Sequence, residues 1–110
     1  MRSWVSQLRK GVTELVVLTA LQHEEAYGYE LLQRINRHDG LSLTESTVYP
    51  LLARLKRDGL VGVRAAPSPS GPPRRYYALT QAGIRRLEAM MQEWDAVAEA
   101  VRQLQKEETP

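Results

Sequence analysis

The segment after Thr80 constrains the fold most, because its apolar residues recur at alternating intervals of three and four positions. They are Leu87, Met90, Trp94, Val97, Val101 and Leu104. This alternation is the seam of a coiled-coil helix, and it predicts one long helix that ends near Glu107. Nothing else in the chain offers a stripe that is able to cover the seam. We therefore expect a second copy of the chain to bury it, with these six residues forming a homodimer interface.

Three shorter helices are predicted before this segment. Apolar spacing of three and four predicts the first over residues 4–22, the second over about 26–38 and the third over about 45–57. Asp-Gly pairs end the second and third helices, since Gly readily adopts the conformation found past a helix end. Either Thr44 or Ser42 is expected to cap the third helix, Ser42 as part of a capping box. Pro50 inside that helix conflicts with regular helix geometry.

A β-hairpin is predicted after the third helix. Residues 60–64 and 75–79 read as strands, and residues 65–74 between them hold four of the six Pro in the chain. Three helices followed by a hairpin is the order of a winged helix-turn-helix. The sequence therefore predicts a mainly α fold with a small β-hairpin. A winged helix-turn-helix DNA-binding domain would occupy residues 1–80, and a C-terminal dimerisation helix residues 81–110.

Charge is spread unevenly along the chain. Residues 1–86 carry 13 Lys and Arg against 7 Asp and Glu, a net +6, whereas residues 87–110 carry 2 against 6, a net −4. A basic body with an acidic last helix indicates that the body meets a polyanion and that the helix does not. Ordinary solvated surface charge is the alternative explanation.

Several functional classes find no support in the composition. The chain has no Cys, which excludes disulfides, zinc fingers and cysteine catalysis. His23 and His38 are isolated, and no P-loop or activated nucleophile is present, so we expect no metal, no cofactor and no enzyme activity. The longest apolar run, residues 15–21, is too short to span a bilayer, so we expect a cytoplasmic protein without membrane contact.

The third helix presents a narrow polar side opposite its apolar side. Ser and Thr hydroxyls there suit base edges, whereas Arg54 and Arg57 suit phosphates. The Arg pair at the hairpin tip suits a minor groove or the phosphate backbone, although solvated arginines are the simpler explanation for that pair alone. The candidate DNA-contacting residues are Thr44, Ser46, Thr47, Tyr49, Arg54, Arg57, Arg74 and Arg75.

Three motifs closely resemble the PadR family of transcription regulators. They are YGYELL at residues 27–32, TVYPLLARLKRDGL at residues 47–60 and RRYYALTQAG at residues 74–83. Their order and spacing match the family, and the resemblance covers roughly residues 8–105. It makes Pro50 a usual member of the recognition helix. It also places the chain with short members that carry a single C-terminal helix and form dimers through it.

Glu93-Trp94 resembles the corresponding segment of the multidrug-binding LmrR-type repressors. In those proteins a Trp from each subunit lines a pore at the dimer centre and stacks on flat aromatic compounds. The resemblance implies a planar hydrophobic ligand at Trp94, with Val12, Leu15 and Met90 as neighbours. Because Trp94 also lies on the heptad seam, an aromatic residue in the dimer core is the alternative, and it needs no ligand.

These features together predict a DNA-binding transcriptional regulator. We expect a ligand-responsive repressor that binds double-stranded DNA as a homodimer. The alternative is a winged-helix protein-interaction module without DNA binding, which the narrow polar side of the third helix does not exclude. A flat salt dependence of binding would favour that alternative, because phosphate contacts release counterions.

Overall fold

The computed structural model describes residues 3–108 and places five helices and three strands among them. The order is α1 (Ser3–Lys10), α2 (Thr13–Ala20), β1 (Ala26–Tyr27), α3 (Gly28–Asn36), α4 (Glu45–Arg57), β2 (Val61–Ala66), β3 (Arg74–Leu79) and α5 (Gln81–Lys106). The predicted fold class, mainly α with a small sheet and one long C-terminal helix, is confirmed. Within residues 3–108, no helix combines the length and apolar composition needed to cross a membrane.

The first predicted helix is in fact two helices. The chain leaves helical geometry at Gly11 and Val12, where Val12 has φ −113° and ψ 6°. Gly is a poor helix former, and its position at the break gives the physical reason why the prediction of one helix over residues 4–22 was wrong. The consequence is that α2 buries Val17 and Leu18 in the core, whereas Leu8 of α1 remains largely exposed.

A short strand replaces the start of the second predicted helix. Ala26 and Tyr27 form β1, which pairs antiparallel with β3 through Tyr77 and Tyr76 respectively. The sheet order is β1-β3-β2, so the predicted hairpin of β2 and β3 gains a third strand on its β3 side. The prediction of a helix from residue 26 was therefore wrong at its first two residues, because pairing with β3 holds them extended.

α4 has the predicted bounds, and its apolar side forms much of the core. Val48, Leu52 and Leu55 are completely buried. Thr44 occupies the N-cap position with an extended backbone, as one of the two capping predictions required. Its hydroxyl, however, makes no capping hydrogen bond to the backbone, and the alternative Ser42 capping box does not form. Pro50 lies inside the continuous helix.

A side chain fixes the turn between α3 and α4. The Asn36 side chain donates from Nδ2 to the Leu43 carbonyl at 2.8 Å and accepts from the Leu43 N–H at 2.9 Å. This reciprocal pair mimics a backbone turn and satisfies two polar groups in the connection. It therefore holds the start of α4 against the end of α3.

α5 begins in the body of the protein and then leaves it. The Thr80 side chain caps it by accepting from the Gly83 N–H at 3.1 Å, as predicted. Leu87, which the heptad pattern assigned to a dimer interface, is only 4% exposed and packs in the core of its own chain. That assignment was wrong because a heptad pattern does not tell which element covers each position. The division into domains at residue 80 stays a prediction.

Candidate nucleic-acid interface and neighbouring grooves

The side of α4 away from the core is polar and open to solvent. Ser46, Thr47, Tyr49 and Arg57 are all exposed. The Thr44 hydroxyl lies 2.9 Å from the Ser46 hydroxyl and donates to the Thr47 hydroxyl at 3.4 Å. The structure therefore brings together three predicted hydroxyl contacts at the first turn of α4, where they form one cluster of donors and acceptors.

The Tyr49 ring lies against Gly28 of α3, in space that a side chain at Gly28 would fill. A Cβ atom at Gly28 would overlap the end of the Tyr49 ring, so a larger residue there would displace the ring from its present position. Partial burial, with Glu45 and Tyr77 nearby, raises the pKa of the Tyr49 phenol above its usual value of 10.0. A phenol with its usual pKa is already protonated at neutral pH, so the hydroxyl has a hydrogen to donate and the shift only moves its ionisation to higher pH.

Arg54 makes closer contacts within the chain than Arg57, the other predicted arginine of α4. Its Nη2 donates to Glu14 Oε1 at 2.8 Å, and its Nη1 lies 3.5 Å from Asp58 Oδ2. The hydrogen bond to Glu14 raises the pKa of Arg54 above its usual value. Arg57 is 72% exposed and lies 3.9 Å from Asp58 Oδ1, so its guanidinium remains accessible. The geometry gives Arg54 a structural contact and leaves Arg57 as the better phosphate candidate.

Glu14 is the important residue that sequence reasoning missed. Its other carboxylate oxygen, Oε2, accepts from Arg86 Nη1 of α5 at 2.7 Å. The carboxylate thus contacts α4 and α5 from its place on α2, and its side chain is mostly buried. No sequence signal pointed to it, because its two partners lie 40 and 72 residues away along the chain.

The hairpin of β2 and β3 is the wing of the fold. A row of cationic and aromatic side chains joins these two wing strands to the start of α3. The Arg64 guanidinium lies 4.7 Å from the Tyr76 ring centre, Tyr76 meets Tyr27 edge-to-face at 5.6 Å, and the Arg74 guanidinium lies 4.4 Å from the Tyr27 ring centre. Glu25 accepts from Arg64 at the end of the row, with Nε to Oε1 at 3.0 Å. We call these five residues the wing ladder.

Of the two predicted arginines of the wing, Arg74 belongs to the wing ladder and Arg75 does not. Arg74 is partly buried and stacks on Tyr27, an arrangement that a cation and an aromatic face favour. Arg75, the next residue along β3, is exposed. Since successive strand residues point to opposite faces, Arg75 lies on the other face of the sheet from the ladder and is free of it.

Two apolar grooves lie on either side of Trp94. One, of about 530 Å³, is lined by all four predicted ligand residues, namely Val12, Leu15, Met90 and Trp94, together with α1 residues such as Leu8. The other, of about 500 Å³, lies between α2, α3 and α5, and shares Val12, Leu15 and Trp94 with the first. The indole is 46% exposed and forms a wall common to both.

A sequence model of the PadR-like transcriptional regulator family matches residues 17–89, which run from α2 into α5. The chain belongs to the PadR-like family of transcriptional regulators. The match includes α3, α4 and both wing strands, so the polar side of α4 and the wing ladder lie within the PadR-like region.

Solved PadR-like structures share the fold. A PadR family transcriptional regulator from Eggerthella lenta is 32% identical with a TM-score of 0.87, covering 96% of this chain and 92% of its own. A PadR-like transcriptional regulator from Bacillus cereus is 37% identical with a TM-score of 0.80, covering 93% and 99%. Bacillus subtilis PadR, solved in complex with operator DNA, is 24% identical with a TM-score of 0.68, covering 73% of this chain and 46% of its own.

Beyond the family match, the PadR-like chain exposes the later part of its heptad stripe. Trp94, Val97, Val101 and Leu104 are exposed, and Met90 is partly buried against the core. A run of large apolar side chains along one side of a helix is unusual on a free surface and typical of a protein interface. Five of the six predicted interface residues therefore remain candidates, without Leu87.

Proposed function

We propose that this PadR-like chain is a homodimeric repressor that places α4 of each subunit in a major groove of its operator. The observation that carries the proposal is the polar side of α4, where Ser46, Thr47, Tyr49 and Arg57 are exposed, whereas Val48, Leu52 and Leu55 on the opposite side are completely buried. A helix of this kind fits the recognition position of a winged helix-turn-helix. The operator complex of Bacillus subtilis PadR, which has the same fold, supports this use of the fold.

The residues divide into those that read bases and those that hold phosphates. The hydroxyls of Thr44, Ser46 and Thr47 form a cluster that suits base edges, since each hydroxyl both donates and accepts. Arg57 and Arg75 carry exposed guanidinium groups that suit phosphates and add affinity without sequence information. Arg54 and Arg74 belong to this second set only as supports, because Glu14 and Tyr27 already engage them.

The dimer would form along the exposed stripe of α5. The stripe runs from Trp94 to Leu104 over about three helical turns. Residues 87–106 of the helix carry four carboxylates against two basic side chains, so this part of α5 suits DNA less than the basic body does. Leu8 of α1 borders the same groove as Trp94 and extends the apolar surface. Two subunits related by a two-fold axis would bury both stripes and present two α4 helices to half-sites about one helical turn apart.

A planar hydrophobic molecule would act as inducer by binding beside Trp94. The grooves on either side of the indole are apolar and of the volume that holds small ligands. The Trp94 ring also lies on the proposed interface, so a molecule stacked on it would contact both subunits. Such a molecule releases the operator only if it binds more tightly to a dimer geometry that fits the operator poorly.

The proposal is tested by fluorescence anisotropy with the DNA upstream of the protein's own gene, at two salt concentrations and with excess random DNA as competitor. We expect tight binding that survives the competitor and weakens with salt. Arg75→Ala should weaken binding to every sequence similarly and reduce the salt slope by about one, and Ser46→Ala should alter sequence preference by about 1 kcal/mol at one base position.

Arg102→Ala is the matched control, because it removes the same charge from the acidic end of α5. It should leave binding nearly unchanged. Equal losses for Ser46→Ala and Arg75→Ala on cognate and random DNA would contradict the division of roles. Binding that is no tighter than to random DNA, or insensitive to salt, would contradict DNA recognition and favour a protein partner.

A further inference from the structure

α5 is attached at its N-cap, Thr80, to the backbone that follows α4. The Thr80 hydroxyl donates to the Gly59 carbonyl at 2.7 Å, and the Thr80 N–H donates to the Leu60 carbonyl at 3.1 Å. A Cβ atom at Gly83 would overlap the Leu60 carbonyl oxygen, so the first turn of α5 lies directly against the backbone that follows α4. This contact fixes where α5 starts, and the side chains of Leu87 and Met90 pack the next turns against the core.

Glu14 adds a polar attachment to this apolar packing. Its two carboxylate oxygens each take one guanidinium, Arg54 of α4 at 2.8 Å and Arg86 of α5 at 2.7 Å. The Glu14 side chain is 16% exposed, whereas Arg54 and Arg86 are 41% and 46% exposed, so water screens these pairs in part, from the arginine side. Hydrogen bonds between ionised groups are also shorter and stronger than neutral ones. The carboxylate therefore holds the recognition helix and the long helix at a fixed separation.

The distance between the two attachments sets how strongly they control the far end of α5. Thr80 and Arg86 are six residues apart, or about 9 Å along a helix, and Lys106 lies about 39 Å from Thr80. With Thr80 as the pivot, a displacement of about 1 Å at Arg86 moves Lys106 by about 4 Å. The proposed dimer interface occupies that far part of the helix, so the displacement changes how the two subunits face each other.

We propose that Glu14 is a positioning residue that sets the direction of α5 relative to α4 and thereby the separation of the two recognition helices in the dimer. The first half of this statement concerns one chain alone. The second half rests on the proposed function, since it requires a dimer that binds two half-sites. Glu14 touches no DNA in this scheme and acts through Arg54 and Arg86.

The effect of Glu14 on the direction of α5 relative to α4, the first half of the proposal, is tested by a distance measured within one chain. The protein contains no Cys, so Ala53→Cys on the exposed side of α4 and Lys106→Cys at the end of α5 give two unique spin-label sites. Mixing with excess unlabelled protein leaves one labelled chain per dimer. Double electron–electron resonance then gives the distance distribution in the wild-type background, in Glu14→Gln and in Arg86→Met.

We expect the distribution to shift or broaden by about 4 Å in Glu14→Gln and Arg86→Met, following the lever estimate. Glu24→Gln, which removes a carboxylate that pairs with Arg34 of α3, should match the wild type. Arg86→Met keeps the Arg54–Glu14 pair, so it carries the test if Glu14→Gln does not fold. Distributions that superimpose on the wild type, or loss of folding in both variants, would overturn the proposal.

The effect of Glu14 on the separation of the two recognition helices, the second half of the proposal, is tested on operators whose half-site separation differs by one base pair from the wild-type optimum. The wild type should lose about tenfold in affinity on such operators, and Glu14→Gln less than about threefold, because its recognition helices are less strictly spaced. An unchanged spacing profile in Glu14→Gln would overturn this half. A wild type that binds no operator contradicts the proposed function instead, and the spin-label distances still decide the first half.

Discussion

Replacing Gly83 by Ala separates the effect of local helix propensity from that of tertiary packing. Ala stabilises a helix interior by up to about 1 kcal/mol relative to Gly, so the sequence alone predicts a gain. In the structure the new Cβ would overlap the Leu60 carbonyl oxygen and lie 3.1 Å from the Leu60 carbonyl carbon. Both atoms are backbone, and the oxygen also accepts the Thr80 N–H, so neither is able to rotate away.

The magnitude follows from these opposing effects. Forcing a group into a filled site costs about 1–3 kcal/mol, and weakening the Thr80 hydrogen bond to Leu60 costs about 1 kcal/mol more. After subtraction of the propensity gain, we expect Gly83→Ala to lower the free energy of unfolding by about 1–3 kcal/mol. For a domain of this size that corresponds to a fall in Tm of about 5–20 °C.

Circular dichroism during thermal and urea unfolding measures this change, at one fixed protein concentration since dimers unfold in a concentration-dependent way. Gly11→Ala is the matched control, because its Cβ would meet nothing closer than the Leu8 carbonyl oxygen at 3.6 Å. That variant should be as stable as the wild type or slightly more so. A Gly83→Ala protein as stable as the wild type would refute the argument that packing outweighs propensity at this position.

Two further predictions concern the dimer and the wing. Trp94→Ala should shift the protein toward monomer in sedimentation velocity, while Gln92→Ala on the same helix should not, and an unchanged mass for Trp94→Ala would argue against Trp94 in the interface. In a Trp4→Phe background, a planar aromatic compound should quench the fluorescence of Trp94, and unquenched emission would argue against ligand stacking on the indole. The hydrogen bond from Arg64 holds the pKa of Glu25 below its usual 4.5, so the pair contributes stability above that pH and loses it as the pH falls through the lowered pKa. An NMR titration should give a Glu25 pKa below 4.5 that returns to it in Arg64→Met, and equal values in both proteins would contradict the contact.

Elements with a strong internal pattern were predictable from the sequence. α4 has the predicted bounds because apolar residues at regular spacing and an Asp-Gly stop define it without reference to the rest of the chain. The break at Gly11 was missed because the apolar spacing continues through it, and a single Gly is tolerated within many helices. β1 was missed for a related reason. Two residues form no pattern, and only their pairing with β3 makes them a strand.

The candidate site was predictable in its residue types and not in its pairings. Exposed hydroxyls on α4 follow from the helical wheel, and Trp94 and its three predicted neighbours do line one groove. The contacts of Arg54 with Glu14 depend on the packing of α2 against the other helices, which sequence spacing does not encode. Leu87 shows the same limit, since one heptad stripe serves the chain's own core at one end and solvent at the other.

The wing ladder has a consequence for the thermodynamics of the proposed DNA complex. Ordering a backbone residue costs about 1–2 kcal/mol of conformational entropy. The ladder joins β2 and β3 to the start of α3, so the wing strands are already ordered in the free protein. Association then requires little further loss of chain entropy in the wing. The wing strands would meet DNA already ordered, and any discrimination between sequences at the wing, beyond the base contacts of α4, would depend on how readily the DNA adapts its shape to them.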